Sequence, residues 1–302
     1  MGASTSSKAY YKYLNLFLLM TQTTVLILTL RYSRTAKVDG PRYLSSTAIV
    51  LSEVVKIITC LAVLYKENKM SLRHTVRAID NEAIKKPYES LKVAVPAVLY
   101  VVQNNLLFLA LSHLDAATYQ VTYQMKILTT AMFSVILLGK KLDGIKWLSL
   151  FLLTIGVAFV QMPSGQNDKP NILTAYDKTI GFTCIVFSCL SSGFSGVYFE
   201  KILKTTNTSV WMRNLQLAFF SIWFGFGAVF FSDFELIKAN GFFQGYNALV
   251  WFLIVLQACG GLIIGLVVKY ADNILKGFAT SLSIILSSIL SYFLLGDFEP
   301  SL

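Results

Sequence analysis

The chain has 302 residues, of which 55% are hydrophobic and 14% charged, and its mean hydropathy is +0.61. Soluble domains carry about 25% charged residues, so this composition excludes an ordinary soluble enzyme and points to a protein that lives in lipid. The formal charge of +10 would suggest a nucleic-acid partner in a soluble protein. Here most of it falls in loops between apolar runs, where the cytosolic bias of Lys and Arg accounts for it without nucleic acid.

Residues 1–12 are short and polar, so the first apolar run reads as a retained anchor and not as a cleavable signal. Nine runs approach bilayer-crossing length, at about 14–30, 44–65, 91–111, 116–138, 145–161, 179–199, 210–231, 247–268 and 274–295. The connections are polar and short except for 66–90 and 162–178. The 112–115 link is so tight that its two helices must be antiparallel neighbours. The chain is therefore expected to be an all-α polytopic membrane protein, with the lipid bilayer as its first partner.

The second run carries Glu53 and Lys56 three residues apart. They read as an intrahelical ion pair that lowers its own insertion cost; alternatively, Glu53 partners a cavity lysine. The third run tolerates Pro96 because neighbouring groups can satisfy the freed carbonyl. It ends with Tyr100, Gln103, Asn104 and Asn105, of which the first three share a helical face. Amides there can read a nucleobase edge or sugar hydroxyls, or can bond to another helix for about 0.6 kcal/mol.

The fourth run places Lys126 deep in an apolar stretch, at a cost of roughly 2.5–3.5 kcal/mol on insertion scales. Tyr119, Thr122, Tyr123, Lys126, Thr129 and Thr130 fall on one stripe at helical spacing. A cationic, tyrosine-bearing stripe inside a membrane implies a water-filled cavity and an anionic guest. In the sixth run Ser188, Ser191, Ser192, Gly193, Ser195 and Gly196 let helices approach closely, and Ser192 can also touch a guest. In the seventh, Arg213 is expected to snorkel to the interface, while Asn214 lies deeper and can face the cavity. The ninth presents Asn273, Lys276, Thr280, Ser283, Ser287 and Ser291 as a second polar stripe with a second lysine. Two lysines near one pocket match a diphosphate or a phosphate diester, since an ammonium is a compact charge with three donors.

Other chemistries find little support. Cys60, Cys184, Cys189 and Cys259 all fall inside apolar runs and show no metal or disulfide spacing. His74 and His113 are not near a carboxylate cluster, and no Ser/His/Asp set, zinc spacing or P-loop is present. Glu53 is the one carboxylate placed within the membrane, which argues against a proton relay. An enzyme and a cofactor are both disfavoured, as is a receptor, which would need only one open face. The loop cations favour a cytosolic N-terminus, with Lys66, Lys69, Arg73, Arg77, Lys85 and Lys86 on the cytosolic side, although Arg31, Arg34, Lys37 and Arg42 oppose it. On that orientation the sequon Asn207-Thr208-Ser209 is cytosolic and unused.

Lys126-Ile-Leu-Thr-Thr130 is echoed by Lys276-Gly-Phe-Ala-Thr280, five spans on and in the opposite direction. This is the pattern of an inverted repeat of the kind that builds central transporter sites. The first five-helix repeat would occupy 1–161 and the second 162–302. The second would lack its last helix: Asp297-Phe-Glu-Pro-Ser-Leu302 reads as a loop leading into a tenth span, as in a fragment or shortened variant. A shortened chain could also act as a nonconducting partner in a homo-oligomer or in a complex with full-length relatives.

The block from Gln103 to Lys126, with Gly193-Phe-Ser-Gly-Val-Tyr-Phe-Glu-Lys-Ile-Leu203 and Val268-Lys-Tyr-Ala-Asp-Asn-Ile-Leu-Lys-Gly-Phe-Ala-Thr280, resembles the Golgi nucleotide-sugar transporters, and the likeness runs from about Lys12 onward. The resemblance implies a drug/metabolite-transporter-like fold of ten helices in two inverted halves, set in the Golgi membrane. It also implies antiport of a cytosolic nucleotide sugar against luminal nucleoside monophosphate. By position, Lys126 and Lys276 would hold the phosphates, and Tyr100, Tyr119, Asn104, Ser192 and Asn214 would line the nucleotide pocket. Where CMP-sialic acid carriers of the family set a tyrosine against the base, this chain has Ala218. The implied cargo is thus a UDP-sugar, exchanged for UMP.

Overall fold

A computed structural model describes residues 2–35, 41–114, 116–160 and 175–294. In chain order its helices are α1 (Gly2–Thr35), α2 (Ser45–Glu67), α3 (Leu72–Ile79), a π-helical turn (Asp80–Ile84), α4 (Pro87–His113), α5 (Ala116–Tyr123) and α6 (Met125–Leu138). There follow α7 (Gly144–Val160), α8 (Ala175–Thr205), α9 (Val210–Ser232), α10 (Phe234–Asn240), α11 (Ala248–Tyr270) and α12 (Asn273–Leu294). Among the described residues eight helical segments are long and apolar enough to cross a bilayer, one of them, Val121–Leu138, running across the junction of α5 and α6; over the fifth run the apolar helix, Gly144–Val157, is shorter. Among the described residues there are no strands. The 162–178 connection and the 295–302 end lie largely or wholly outside the described residues.

The chain divides into two compact units, one of Met1–Val98 with Ile202–Asp272, the other of Leu99–Lys201 with Asn273–Leu302. Each unit draws helices from both halves of the sequence, and α4 and α8 contribute to both.

In the first unit α2 packs on α9 and α11, and α11 also packs on α1. Glycines of α11 receive polar side chains from three helices. Gln22 of α1 donates from Nε2 to the Leu256 carbonyl at 2.9 Å, and a methyl on Gly260 would fall 2.5 Å from that nitrogen. Lys56 of α2 lies 3.1 Å from where a methyl on Gly261 would sit, and pairs with Glu53 at 2.6 Å. Asn214 of α9 lies against Gly265, where a methyl would meet its amide nitrogen at 2.5 Å.

The start of α9 is fixed by Ser209, whose hydroxyl accepts from Met212 N at 3.2 Å. Arg213 does not snorkel. It is 2% exposed and donates to the Glu89 carbonyl at 3.2 Å and to Gln216 Oε1 at 2.9 Å. Gln216 in turn donates to the Glu82 carbonyl and to Ser90 Oγ. A buried guanidinium is stable only with such partners, and these tie α9 to the π turn and to the start of α4. The ends of α8 and α11 cap each other: Lys269 donates to the Leu203 carbonyl, and Lys204 to the Ala271 carbonyl at 2.6 Å. Cations at helix C-termini also complement the helix dipole.

In the second unit α6, α7 and α12 pack together around Ile127, Ala131 and Leu150, with Ile274 and Phe278 laid against them. A second core joins Ala110, Leu114, Cys184, Ile185 and Cys189 to Tyr119 and Tyr123. Gly193 of α8 meets α6 so closely that a methyl there would lie 2.8 Å from the Thr129 backbone carbon. This is the close approach expected of the small-residue stripe.

Candidate functional site

Lys126 is not in the middle of an unbroken helix. The run over 116–138 splits at Gln124, between α5 and α6. At the junction Gln124 N bonds to the Val121 carbonyl at 3.2 Å and Ile127 N to the Gln124 carbonyl at 3.0 Å, both three residues back. Before the break stand Thr118, Tyr119, Val121, Thr122 and Tyr123, branched and aromatic residues with modest helix propensity. Lys126 thus sits in the first turn of α6. The positive end of the helix dipole and the ammonium add there, which favours an anion.

The Lys126 Nζ lies 4.2 Å from the centre of the Tyr123 ring, a cation–π geometry. Tyr123 stacks on Tyr119 with ring centres 6.2 Å apart. Its hydroxyl accepts from Gln103 Nε2 at 3.0 Å and interacts with Ser192. The Gln103 carbonyl accepts from Ser188 at 3.3 Å, while its buried Oε1 has no partner. Tyr100, one turn earlier on α4, interacts with Ser195. Asn104 beside it is exposed.

Lys276 lies in the first turn of α12, half-buried, with its Nζ 3.7 Å from where a methyl on Gly196 would sit. It feels the like charge of Lys126 and the opposite charge of Glu200. Among the described residues, neither Lys126 nor Lys276 makes an ion pair with a carboxylate. Two half-buried ammonium groups of one unit are thus left with cationic charge that the protein does not neutralise by contact.

Glu200 was missed at the sequence level, where the sixth run was ended one residue before it. It lies within α8 and is fully buried. Its Oε1 accepts from Lys140 Nζ at 2.8 Å; its Oε2 accepts from Asn273 N at 2.9 Å and Asn273 Nδ2 at 3.0 Å. Asn273 Nδ2 also donates to the Gly196 carbonyl at 2.6 Å. The carboxylate therefore anchors the α12 N-terminus, three residues before Lys276. It also binds the link after α6, where Gly139 at φ 64° ends the helix and Lys140 turns back. The expectation that Glu53 is the one carboxylate within the spans is corrected accordingly. The available signal was Glu200 following the Ser/Gly stripe at helical spacing.

The structure brings Tyr100, Gln103, Asn104, Tyr119, Tyr123, Lys126, Ser192, Lys276 and Thr280 into the second unit. Asn214 belongs to the first unit, buried against Gly265 and donating to the Val210 carbonyl at 2.9 Å. The Thr280 hydroxyl bonds to the Lys276 and Gly277 carbonyls, and that of Thr129 to the Lys126 and Cys189 carbonyls. The Thr130 hydroxyl likewise donates to the Lys126 carbonyl at 2.7 Å, so all three threonine hydroxyls donate to backbone. The Glu53–Lys56 pair takes the intrahelical form.

These features define a polytopic helical membrane protein with a cationic, tyrosine-lined region at a broken helix. Residues 7–302 match the family model for the nucleotide-sugar transporter. The chain is 58% identical to the UDP-N-acetylglucosamine transporter of Homo sapiens over 97% of its own length and 90% of that protein's. It is 53% identical to the UDP-N-acetylglucosamine/UDP-N-acetylgalactosamine transporter nstp-4 of Caenorhabditis elegans, covering 98% and 90%. To the UDP-galactose translocator of Mus musculus it is 46% identical, covering 98% and 75%. The chain belongs to the nucleotide-sugar transporter family, whose members are carriers and not enzymes.

Proposed function

We propose that this chain is a Golgi antiporter that brings UDP-N-acetylglucosamine into the lumen in exchange for UMP. The observation that carries this is the pair of lysines, Lys126 and Lys276, in the first turns of α6 and α12 of one unit, neither matched by a carboxylate in contact. A diphosphate supplies the missing negative charge and relieves the repulsion between them. Tyr119, Tyr123, Tyr100, Gln103, Asn104 and Ser192 offer rings and hydrogen-bonding groups for the nucleoside, with Thr280 as a further contact from the same unit. UDP-N-acetylglucosamine is preferred over UDP-galactose because the relatives named for it share more of this sequence. The N-terminus lies in the cytosol, and the chain is built as inverted repeats over 1–161 and 162–302. Alternating access comes from rocking around the lysine pair.

Exchange follows if the unloaded, doubly cationic site crosses slowly and the loaded one crosses fast. Counterflow in proteoliposomes tests this. Vesicles preloaded with UMP should take up labelled UDP-N-acetylglucosamine faster than unloaded vesicles; equal rates would overturn antiport. Parallel labelled UDP-galactose separates the two cargo assignments, and equal or faster uptake of it would reverse the preference.

A further inference from the structure

The segment between α2 and α4 folds as the short helix α3 and a π turn, and it is amphipathic in an unusual setting. At helical spacing Leu72, Val76 and Ile79 fall on one arc of α3, with Arg73 and Arg77 on its flank. Thr75, at the other edge of the arc, is buried and bonds to the Ser71 carbonyl at 3.0 Å. The apolar arc is not buried by the unit: Leu72 is 72% and Val76 64% exposed. Met70, Ile84 and Tyr88 of the same segment are exposed as well.

Position says what meets this arc. The segment joins two candidate membrane spans, Ser45–Glu67 and Pro87–Leu107, so it is held at the bilayer surface. There an exposed apolar arc sinks into the boundary between headgroups and acyl chains. Tyr88, with Lys92 Nζ 4.7 Å from its ring centre, suits the aromatic belt at that depth.

Charge says which lipid. Lys66, Lys69, Arg73, Arg77 and Lys86 are all exposed. Of the nearby acids, Asp80 pairs with Lys85 at 2.6 Å and Glu89 with Lys92 at 2.5 Å; Glu67 and Glu82 stand among the cations without such a pair, and Lys66, Lys69, Arg73, Arg77, Lys85 and Lys86 outnumber the acids of the segment. Lys66, Lys69, Arg73 and Arg77 make no ion pair among the described residues. Guanidinium forks match phosphate oxygens with paired N–H groups, and clustered cations beside a membrane span select anionic over zwitterionic lipid.

We propose that residues 66–88 form a docking surface for anionic phospholipid, with Leu72 and Val76 set among acyl chains and Lys69, Arg73 and Arg77 on the headgroups. On the orientation given under Proposed function the surface meets the cytosolic leaflet, which carries the anionic lipid. The surface itself does not depend on that orientation or on the cargo.

The test uses the purified full chain in mixed micelles containing phosphatidylserine or phosphatidylcholine, with bound lipid counted by native mass spectrometry. The chain should retain phosphatidylserine preferentially. The preference should fall by roughly fivefold for each cation removed in Lys69→Gln, Arg73→Gln and Arg77→Gln, and weaken as salt rises. Equal retention of the two lipids, or an undiminished preference in the triple variant, overturns the proposal. Preference for an acidic peptide over the lipid in competition would overturn it as well. A second measurement examines the apolar arc: in vesicles, Leu72→Trp should be quenched by brominated acyl chains beyond the signal of the four native tryptophans. Absence of added quenching would place the arc in water and sink the proposal. Neither measurement uses transport, so its failure and a failure of counterflow are distinguishable.

Discussion

Replacing Glu200 with glutamine removes one charge and changes almost no volume, which makes it a clean perturbation of the second unit. The carboxylate is fully buried and accepts from Lys140 Nζ, Asn273 N and Asn273 Nδ2 at 2.8, 2.9 and 3.0 Å. A glutamine has one acceptor oxygen, and whichever side receives its amide nitrogen then sets donor against donor. At least one charge-assisted bond is lost, worth about 1.5–3 kcal/mol. Lys140 also loses its opposite charge; breaking a buried pair from one side costs about 3–5 kcal/mol, and the partial exposure of Lys140 keeps the expectation toward the lower figure. We expect Glu200→Gln to lower unfolding free energy in SDS-titrated micelles by about 2–4 kcal/mol. Because Glu200 also anchors the turn that carries Lys276, uptake per inserted carrier should fall, with the loss expressed in substrate affinity. The companion change is Lys140→Met. In the Glu200→Gln background it removes the cation that faced the carboxylate, so the double-mutant cycle should show coupling of about 1–3 kcal/mol. Coupling near zero, or a single variant with unchanged stability and uptake, would refute the clamp.

Lys126→Ala should reduce labelled UDP-sugar uptake to background while membrane insertion and detergent stability hold, because the lysine has no protein carboxylate to strand; retained uptake would reject the phosphate role. Gly193→Ala puts a methyl 2.8 Å from the Thr129 backbone carbon and 2.9 Å from Thr130 N. Backbone cannot swing aside, so a cost of about 1–3 kcal/mol is expected, read as a lower melting temperature; an unchanged value would show that the helices part freely. Arg213→Ala strands Gln216 and withdraws a bond from the Glu89 carbonyl, and should cost about 3 kcal/mol; a snorkelling arginine would instead give a near-neutral variant in the same unfolding assay.

Much of the fold could be read from apolar run length alone, since lipid permits few spanning structures besides helices. Hydrophobic length does not register local propensity, so the break at Gln124 escaped it: the run over 116–138 stays apolar while its first part is rich in branched and aromatic residues. Burial inside protein was equally hidden. Arg213 and Glu200 both lie near the ends of apolar runs, where a charge usually reaches water, and partners such as Glu89, Gln216, Lys140 and Asn273 hold them inside. The lysines were legible because an ammonium in lipid is costly under any packing. Hydroxyls were less so. Thr129 and Thr280 share stripes with the lysines, yet their oxygens bond to backbone carbonyls, a use that spacing does not separate from ligand contact.

The seats on α11 have a mechanical consequence. Gln22, Lys56 and Asn214 each enter the helix surface where a side chain is missing, at Gly260, Gly261 and Gly265. They work as keys in keyways: they fix the azimuth of α11 about its own axis, because turning it would drive polar heads against bulky neighbours. Spinning or sliding of α11 alone is thereby blocked, and α1, α2, α9 and α11 are left to travel as one block.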